Sequence, residues 1–322
     1  MEHTTEITLV RTAFEKEVYA GLTAHPKYLS SKYIYDKQGD ALFQEIMAMP
    51  TYYLTHCEYA ILERHKTEIV SLFSRNGPFD LIELGAGDGK KTKILLRELS
   101  EQHIDFTYVP IDISENALDN LSKTITEELP DVDVEPLQGT YFETLQDVNA
   151  RKNQKVILFL GSNIGNLEHE QAILFMREIQ MAMQPNDLLF MGFDLKKDPN
   201  LILEAYNDKE GITAAFNKNL LVRINSELDA NFELDQFLHW EVYNPESGTA
   251  KSYLVSKMQQ KVWIEKLQLE ISFDCWETVH TEISQKYDTA VIDWLAQEAY
   301  LTVETAYSDV KKQFINYVFK KS

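Results

Sequence analysis

The chain has 322 residues, of which 44% are hydrophobic, so it is long enough for one large or two modest domains with a sizeable core. Its formal net charge of −20 argues against nucleic acid or an anionic membrane as a partner, because phosphate groups are bound by a positive field. No apolar run approaches the roughly 18 residues that span a bilayer, and the polar, acidic start predicts no signal peptide. We therefore expect a cytoplasmic protein that acts on a small molecule. We also expect it to be a monomer.

The cysteines and histidines form no pattern typical of metal binding. Cys57 and Cys275 are the two cysteines, and they have neither metal-binding nor redox spacing. The eight histidines form no H-x-x-x-H pattern with a carboxylate. We therefore expect packing cysteines in a reducing compartment and no metal site.

The N-terminal segment is rich in turns and contains Tyr35, Tyr52 and Tyr53. Loop tyrosines often anchor an apolar ring while the hydroxyl stays in water, which is one interpretation of these three. Residues 55–58 read as a capping box, so the sequence predicts a helix that opens there and covers residues 59–73.

A glycine-rich loop follows an apolar run over residues 79–84. Glycines occupy positions 85, 87 and 89, and a helix is predicted over residues 90–99. A dinucleotide fingerprint is G-x-G-x-x-G, but here Lys90 stands where its third glycine would be. An acidic residue, Glu83, followed by G-x-G-x-G is instead the pattern of S-adenosylmethionine (SAM) methyltransferases. The alternatives are a turn that binds nothing and an NAD-dependent oxidoreductase.

Asp112 ends the next predicted strand, over residues 106–112. A carboxylate about 20 positions beyond the glycines can accept hydrogen bonds from both ribose hydroxyls of a nucleoside. The alternative is that Asp112 caps the helix that begins at Ser114.

Strand and helix signals then alternate, which predicts a parallel sheet covered by helices. The predicted elements are a helix over 114–127, strands over 132–137 and 155–160, a helix over 168–184 and a strand over 188–194. Ligands in such sheets bind at the carboxyl ends of the strands, where the turns at 139–142 and 161–166 also fall. A closing hairpin over 301–307 and 314–319 is typical of the Rossmann-like methyltransferase fold.

Residues 197–286 interrupt this alternation. They predict a helix after Asp198, a helix over 213–228 and strands over 237–243, 252–264 and 267–273. We interpret them as an inserted α+β domain that sits over the cofactor and forms the substrate pocket. The predicted division is a SAM-binding domain of 56–196 plus 287–322 and a substrate domain of 1–55 plus 197–286.

Two pairs of polar residues suggest amino-acid binding. Asn163 and Asn166 follow a buried strand, and an amide offers both a donor and an acceptor to a zwitterion. Glu282 and Ser284 flank Ile283, so in an extended chain they point the same way and can hold an imidazole by both nitrogens. The alternatives are a cap of helix 168–184 and a solvated strand face.

Taken together, these motifs resemble the histidine Nα-methyltransferase family of ergothioneine biosynthesis over nearly the whole chain. The matching segments are Tyr35-Asp36 to Gly39, Leu42-Phe43, Glu45-Ile46, Pro50 to Tyr53, Thr55, Glu83 to Gly87, Asp112 to Ser114, Phe159 to Asn166, Asp194 to Asp198, Tyr206, Gly211 to Asn217, Asn244 to Glu246 and Thr281 to Ser284.

The resemblance implies a SAM-dependent enzyme that transfers three methyl groups to the α-amine of L-histidine and forms hercynine. It implies that substrate is held by Tyr35, Tyr52, Asn166, Tyr206, Thr213, Ser252, Glu282 and Ser284. It implies that SAM is held by Glu83, Gly85, Ala86, Gly87, Lys91, Asp112, Thr140 and Tyr141. No dedicated catalytic base is assigned.

Two positions depart from the family pattern. Thr140 stands where the family has an aspartate near the adenine, so we expect Tyr141 or Phe142 to take that role. Ser252 stands where the family has a methionine, which predicts a roomier, more polar pocket that also admits larger amino acids such as tryptophan. Methylation of another amino acid, partial methylation and a non-catalytic sensor of SAM and amino acids remain as alternatives.

Overall fold

The computed structural model describes residues 12–141, 144, 148 and 150–322, and the contacts among them divide into two compact units. The first unit contains the described residues up to Tyr52, Asp198–Asn244 and Thr249–Ile283. The second contains the described part of Tyr53–Lys197, with Pro245–Gly248 and Ser284–Ser322. Among the helices so described, none is both long and apolar enough to cross a membrane.

We number the described elements along the chain. The strands are β1 (Lys27–Tyr28), β2 (Phe79–Leu84), β3 (Phe106–Asp112), β4 (Asp133–Val134), β5 (Leu137–Gln138), β6 (Gln154–Phe159), β7 (Leu188–Asp194), β8 (Phe237–Asn244), β9 (Thr249–Ser256), β10 (Gln260–Ile264), β11 (Leu269–Phe273), β12 (Thr278–Gln285), β13 (Leu301–Ser308) and β14 (Phe314–Lys321). The helices are α1 (Ala13–Thr23), α2 (Lys37–Ala48), α3 (Tyr53–Phe73), α4 (Thr92–Glu101), α5 (Glu115–Glu128), α6 (His169–Ala182), α7 (Pro199–Tyr206), α8 (Ile212–Leu228) and α9 (Thr289–Glu298).

The second unit is built on a mostly parallel sheet in the order β13-β14-β7-β6-β2-β3-β4, with β5 beside β3. The pairs β2–β3, β2–β6 and β6–β7 are parallel, whereas β14 runs antiparallel to both β7 and β13. Strand order reverses between β2 and β6, and ligands of such sheets bind at that switch point. This arrangement confirms the Rossmann-like class I SAM methyltransferase fold, including the closing hairpin.

Both faces of this sheet are covered, which explains why its central strands are apolar throughout. Every residue of β2 and β7 is buried. One core contains side chains of α3, α4 and α5, such as Phe73, Leu95 and Ile125. The other contains side chains of α6 and α9, such as Phe175 and Leu295.

The first unit has a four-stranded sheet in the order β1-β12-β9-β8 and a separate hairpin of β10 and β11. Burial alternates along β8 and β12, so one face of each strand joins a core and the other is more open. The core contains Phe216, Leu220 and Ile224 of α8 together with Val18 and Leu22 of α1.

The helix predicted to open at residue 59 begins earlier, at Tyr53. The predicted capping box was wrong because Thr55 and Glu58 lie inside the helix. The Glu58 carboxylate turns away from the helix backbone and is fully buried against other elements. The sequence pattern of a capping box is thus present inside this helix, where it does not mark the helix start.

Two predicted strands are each divided. The strand over 132–137 is present as β4 and β5, because Pro136 between them has no N–H for the sheet. The strand over 252–264 is present as β9 and β10, which pair with β8 and β11 in different sheets.

Candidate active site

The glycine loop after β2 has a shape that requires its glycines. Gly85 and Gly87 have φ values of +76° and +53°. A Cβ on Gly85 would lie 2.5 Å from the Tyr141 hydroxyl. The N–H groups of Gly85 and Ala86 donate to the Ile111 carbonyl at 2.8 and 3.1 Å, so the loop is tied to β3.

Asp112, at the end of β3, lies directly beside this loop. Its Oδ2 accepts a hydrogen bond from the Gly87 N–H at 3.1 Å, and its Oδ1 accepts one from Ser114 N–H at 3.0 Å. The following helix is capped by Ser114, whose hydroxyl accepts from Ala117 N–H. The alternative that Asp112 is the cap of this helix was therefore wrong.

Glu83 is buried beneath the loop. Its carboxylate accepts hydrogen bonds from the Thr92 hydroxyl at 2.5 Å and from the Tyr108 hydroxyl. Burial raises the pKa of Glu83 to about 7, against the opposing effect of these two hydrogen bonds. Glu83 thus connects β2 to the first residue of α4 and to β3.

Lys91 is held by a second buried acid, Glu58 of α3. Its Nζ lies 2.5 Å from Glu58 Oε2, and the same oxygen accepts the Gly161 N–H at 2.7 Å. The other oxygen of Glu58 accepts from Asn316 Nδ2 at 2.8 Å. One carboxylate therefore joins the glycine loop region to the turn after β6 and to β14.

Glu58 reaches this position because β7 has a glycine beside it. A Cβ on Gly192 would lie 2.4 Å from Glu58 Oε1 and 2.9 Å from the Phe314 ring. The sequence predicted a helix-capping role for Glu58 and gave no sign of this buried position.

Tyr141 packs under the glycine loop. Its ring lies 5.6 Å from that of Phe159 and 5.8 Å from that of Phe175, between ring centroids. Burial raises the pKa of its hydroxyl well above the ordinary value. Thr140 precedes it in the turn after β5, and Phe142, the other residue expected near adenine, lies outside the described residues.

The turn after β6 brings Asn163 and Asn166 to the same edge of the sheet. The side-chain nitrogen of Asn163 lies 3.5 Å from where a Gly85 Cβ would be. On its other side, a Cβ on Gly165 would lie 2.9 Å from the Gln285 carbonyl oxygen. The N-cap of α6 is Glu168, so the alternative that an asparagine caps this helix was wrong.

Ser284 lies next to Gln285 at the end of β12, so the turn with Asn166 runs beside the segment that carries Ser284. The Tyr287 hydroxyl donates to the Ile164 carbonyl at 3.1 Å and fixes this contact. The structure thus brings together the glycine loop, the asparagine turn and the strand end with Ser284.

A third buried acid, Asp194, lies at the end of β7. Lys286 Nζ lies 2.9 Å from its Oδ2, and Lys197 forms an ion pair with its Oδ1. The Tyr53 hydroxyl donates to Oδ2 at 2.8 Å and accepts from Lys197 Nζ at 3.0 Å. Burial lowers the pKa of Lys197. Lys286 also donates to Ser284 Oγ at 2.7 Å.

In the first unit, three of the predicted substrate residues belong to one cluster of rings. Phe43 lies 5.6 Å from Tyr35 and 6.5 Å from Tyr52, between ring centroids. Tyr206 lies 6.0 Å from Tyr52. All three pairs are edge-to-face, which is a favourable arrangement for aromatic rings.

Ser252 does not share a strand face with Glu282. It is buried on β9, where its hydroxyl donates to Glu241 Oε2 at 2.5 Å. Its carbonyl accepts from the Thr281 hydroxyl at 3.1 Å, and Thr281 is buried while its neighbour Glu282 points the other way. The structure therefore gives no geometric reason for Ser252 to widen a pocket formed by Glu282 and Ser284.

Thr213 lies in the first turn of α8 and is buried, with its carbonyl accepting from Asn217 Nδ2 at 3.2 Å. Glu241 and Asn217 are buried polar residues that sequence analysis did not select. Asn217 ends the matching segment Gly211 to Asn217 but had no predicted role, and no motif marks Glu241, whose burial depends on the pairing of β8 with β9. Within the described ranges, no group of three or more His, Cys, Asp or Glu is placed to hold a metal ion.

Comparison with known proteins agrees with the resemblance found from motifs. The family model described as histidine-specific, SAM-dependent methyltransferase matches residues 14–321. The histidine N-alpha-methyltransferase of Mycolicibacterium smegmatis is 35% identical over 275 residues, 85% of this chain and 84% of that protein. Ergothioneine biosynthesis protein 1 of Schizosaccharomyces pombe is 30% identical over 73% of this chain and 31% of its own length. An L-tryptophan methyltransferase of Psilocybe serbica is 26% identical over 92% and 90% of the two chains. The chain thus belongs to the family of histidine-specific, SAM-dependent methyltransferases.

Proposed function

We propose that this enzyme transfers methyl groups from SAM to the α-amino nitrogen of L-histidine, three times in succession, to form hercynine. The observation that carries this proposal is the contiguity, within one unit, of the glycine loop, the asparagine turn and the strand end with Ser284. A cofactor loop beside an amide that suits an α-amino acid is the arrangement that amine methylation needs, because the reaction depends mainly on alignment.

The residues around the glycine loop suit SAM. We assign the close backbone approach to Gly85, Ala86 and Gly87, where a side chain on Gly85 would collide with Tyr141. Asp112 carries the ribose contacts, and Lys91 presents a positive charge to the carboxylate of SAM. SAM, when bound, supplies an electrophilic methyl group together with its own leaving group.

Three further residues complete the proposed cofactor set. Tyr141 and Thr140 lie on the adenine side, where the Tyr141 ring is fixed by Phe159 and Phe175. Glu83 supports the loop from beneath. Its two oxygens accept hydrogen bonds from hydroxyls of α4 and β3.

The amino acid is held by groups matched to its charges. We assign the α-amine and carboxylate to Asn166, Tyr206 and Tyr35, and the imidazole to Tyr52, Glu282 and Ser284. Thr213 and Ser252, which are buried in the first unit, are kept as more distant members of the proposed substrate set. Each transfer needs an unprotonated nitrogen, and a tyrosine hydroxyl or water relays the proton without a dedicated base.

Product analysis tests the proposal. The protein is incubated with SAM and each of the twenty amino acids in turn, and methylated products are identified by mass spectrometry. We expect trimethylated histidine as the main product. Preference for another amino acid would replace histidine as substrate, and SAM binding without any product would support a sensor instead of an enzyme.

Two substitutions separate the proposed roles. Asn166→Ala should lower activity on every accepted amino acid, because all share the group that Asn166 binds. Glu282→Ala should lower histidine turnover selectively, because a site built to bond a ring N–H loses that discrimination. Asn120→Ala, on the exposed surface of α5, serves as the matched control.

We further propose that the enzyme acts as a cytoplasmic monomer with no nucleic-acid or membrane partner. The net charge of −20 and the two free cysteines, Cys57 and Cys275, support this. Light scattering after size-exclusion chromatography tests the monomer, and a dimer mass would contradict it.

A further inference from the structure

Asn163 is a polar residue of the asparagine turn to which the proposed function assigns no role. It begins a short 3₁₀ helix, Asn163–Asn166, that follows β6 in the second unit. Its side chain is half-buried, and within the described part of the chain its amide forms no hydrogen bond. Polar groups at this depth usually have a partner, so the donor and the acceptor of this amide call for one.

The turn is held in shape by residues other than Asn163. The Ser162 hydroxyl accepts from the Asp194 N–H at 2.9 Å, and the Ser162 carbonyl accepts from the Gly165 N–H at 2.8 Å. Ser162 has a φ of +58°, a backbone conformation that costs free energy for a residue with a side chain, so these contacts offset a local strain. Ile164 is fully buried. The Asn163 side chain is thus not needed to form the turn.

The Asn163 amide lies between two glycine turns. Its Nδ2 lies 3.5 Å from the position that a Cβ on Gly85 would take, and its Oδ1 lies 3.4 Å from the corresponding position at Gly161. Both glycines have a φ of +76°, which favours glycine over residues with a side chain. The amide therefore reaches from the cofactor loop to the turn after β6.

Lys91 is the charged neighbour of this amide. Its Nζ lies 3.3 Å from the Cβ position at Gly161, the same point to which Asn163 Oδ1 comes within 3.4 Å. Because an ammonium group has donors only, it favours the amide orientation in which the oxygen lies on this side and the nitrogen lies beside Gly85. Lys91 and Asn163 thus offer a cationic donor and a neutral acceptor side by side.

This pair matches the amino-acid end of SAM, which carries a carboxylate and an ammonium on one carbon atom. The proposed function gives the carboxylate to Lys91, so the ammonium lies close to the same lysine. Glu58 does not meet it, because Glu58 has 0% exposure and accepts from Lys91, Gly161 and Asn316. The half-buried Asn163 amide is accessible, and its oxygen can accept from an ammonium group.

We propose, on the basis of the proposed function in which SAM binds at the glycine loop, that Asn163 is a further cofactor-binding residue. Its side-chain oxygen accepts a hydrogen bond from the α-ammonium of SAM. Residues three apart in a 3₁₀ helix eclipse one another, so Asn163 and Asn166 project on the same side of the turn. One turn then holds both reactants, with Asn163 on the cofactor and Asn166 on the substrate. The sequence interpretation had instead given both asparagines to the amino acid.

Calorimetry with three ligands tests this assignment. S-adenosylhomocysteine has the ammonium and the carboxylate, its decarboxylated form keeps only the ammonium, and methylthioadenosine has neither. Asn163→Leu, which nearly preserves the size of the side chain, should weaken binding of the first two by about ten- to a hundredfold, the usual effect of losing a hydrogen bond to a charged group. Binding of methylthioadenosine should be unchanged, whereas a general structural effect would weaken all three.

Three other variants sharpen the assignment. Lys91→Met should weaken binding of S-adenosylhomocysteine but not of its decarboxylated form, because Lys91 is assigned to the carboxylate. Asn163→Asp keeps an acceptor and adds a negative charge, so it should bind the decarboxylated form at least as tightly as the natural chain does. Asn120→Leu, on the exposed surface of α5, is the matched control and should change none of the three affinities.

The outcomes distinguish this inference from the proposed function. If the natural chain binds none of the ligands, or if Asp112→Ala binds all three normally, the proposed cofactor site is wrong. If Asp112→Ala weakens all three but Asn163→Leu weakens none, the inference about Asn163 alone is overturned. An Asn163→Leu enzyme with normal S-adenosylhomocysteine affinity and a raised KM for histidine would place Asn163 on the substrate instead. If Asn163→Leu does not fold, Asn163→Ala is measured with the same ligands, and equal losses for all three would overturn the inference.

Discussion

Two buried ion pairs in the second unit look alike but differ in their access to water. Glu58 pairs with Lys91 beside the cofactor loop, and Asp194 pairs with Lys286 beside Ser284. Both carboxylates have 0% exposure, but the Lys91 side chain is 20% exposed and that of Lys286 is 0% exposed. An ammonium group that contacts water stays solvated when its carboxylate partner is removed. A fully buried ammonium group instead becomes an uncompensated buried charge. The two pairs should therefore respond differently to the same acid-to-amide substitution.

Substitution of Asp194 should produce the largest effect. Asp194→Asn removes the carboxylate that pairs with both buried lysines, Lys286 and Lys197, so we expect the free energy of unfolding to fall by about 3–5 kcal/mol. Urea denaturation at pH 7.5 measures this. Glu298→Gln, which removes an exposed acid opposite Arg177, should cost less than about 1 kcal/mol. A loss at Asp194 as small as this control would show that the cluster is hydrated in solution.

Glu83 extends the comparison to a buried carboxyl group that accepts hydrogen bonds from two hydroxyls. Its pKa of about 7 in the folded state lies above the value of about 4.3 in an unfolded chain. Between these values the folded state holds a proton that the unfolded state has released, so the free energy of unfolding falls as pH rises from about 4.5 to 7.

Glu83→Gln should remove this pH dependence, because the amide does not ionise. We expect the difference in unfolding free energy between pH 5 and pH 8 to change by up to about 3 kcal/mol relative to the natural chain. Urea denaturation at the two pH values checks it. If the unfolding free energy changed equally between pH 5 and pH 8 in both proteins, the pKa of Glu83 would not be raised by folding.

Substitution of Asp112 tests whether SAM binds at the glycine loop, beside the pair of Glu58 and Lys91. Asp112→Ala should weaken SAM binding by roughly 1.5–3 kcal/mol, the usual contribution of a hydrogen bond to a charged group. Calorimetry measures it, with Asp119→Ala on the exposed face of α5 as control. Unchanged affinity in a folded Asp112→Ala protein would remove Asp112 from the cofactor site.

The smallest effect is expected at Glu58. Glu58→Gln keeps an acceptor for Gly161 N–H, and Lys91 can turn towards water, so we expect a loss of about 1–2 kcal/mol in unfolding free energy. Denaturation side by side with Asp194→Asn checks the difference. Equal losses would mean that exposure of the lysine does not decide the cost of removing its acid.

Local patterns allowed much of the fold to be predicted. The glycine loop, the strand that ends at Asp112 and the closing hairpin each depend on a few consecutive residues, so a single sequence carries their signal. The buried acids depend on contacts between distant elements. Glu58 meets Asn316, and Asp194 meets Lys286, through strand order that no local pattern encodes.

The strand face from which a side chain projects was the second property that could not be predicted from the sequence. The resemblance selected Ser252 together with Glu282, but β9 and β12 present them on opposite faces of one sheet. A family resemblance identifies a site residue by its position in the sequence. The direction of its side chain depends on the pleat and register of the strand.

Gly192 places a constraint on how this protein can change. Any side chain there would collide with Glu58, and Glu58 in turn joins α3, the turn after β6 and β14. Replacing Gly192 alone displaces the acid, and shortening the acid alone leaves a gap beside a bare glycine. Because the Phe314 ring also lies 2.9 Å from where a Gly192 Cβ would be, a side chain at Gly192 requires both Glu58 and Phe314 to move, so Gly192 is constrained although it touches no ligand in the proposed site.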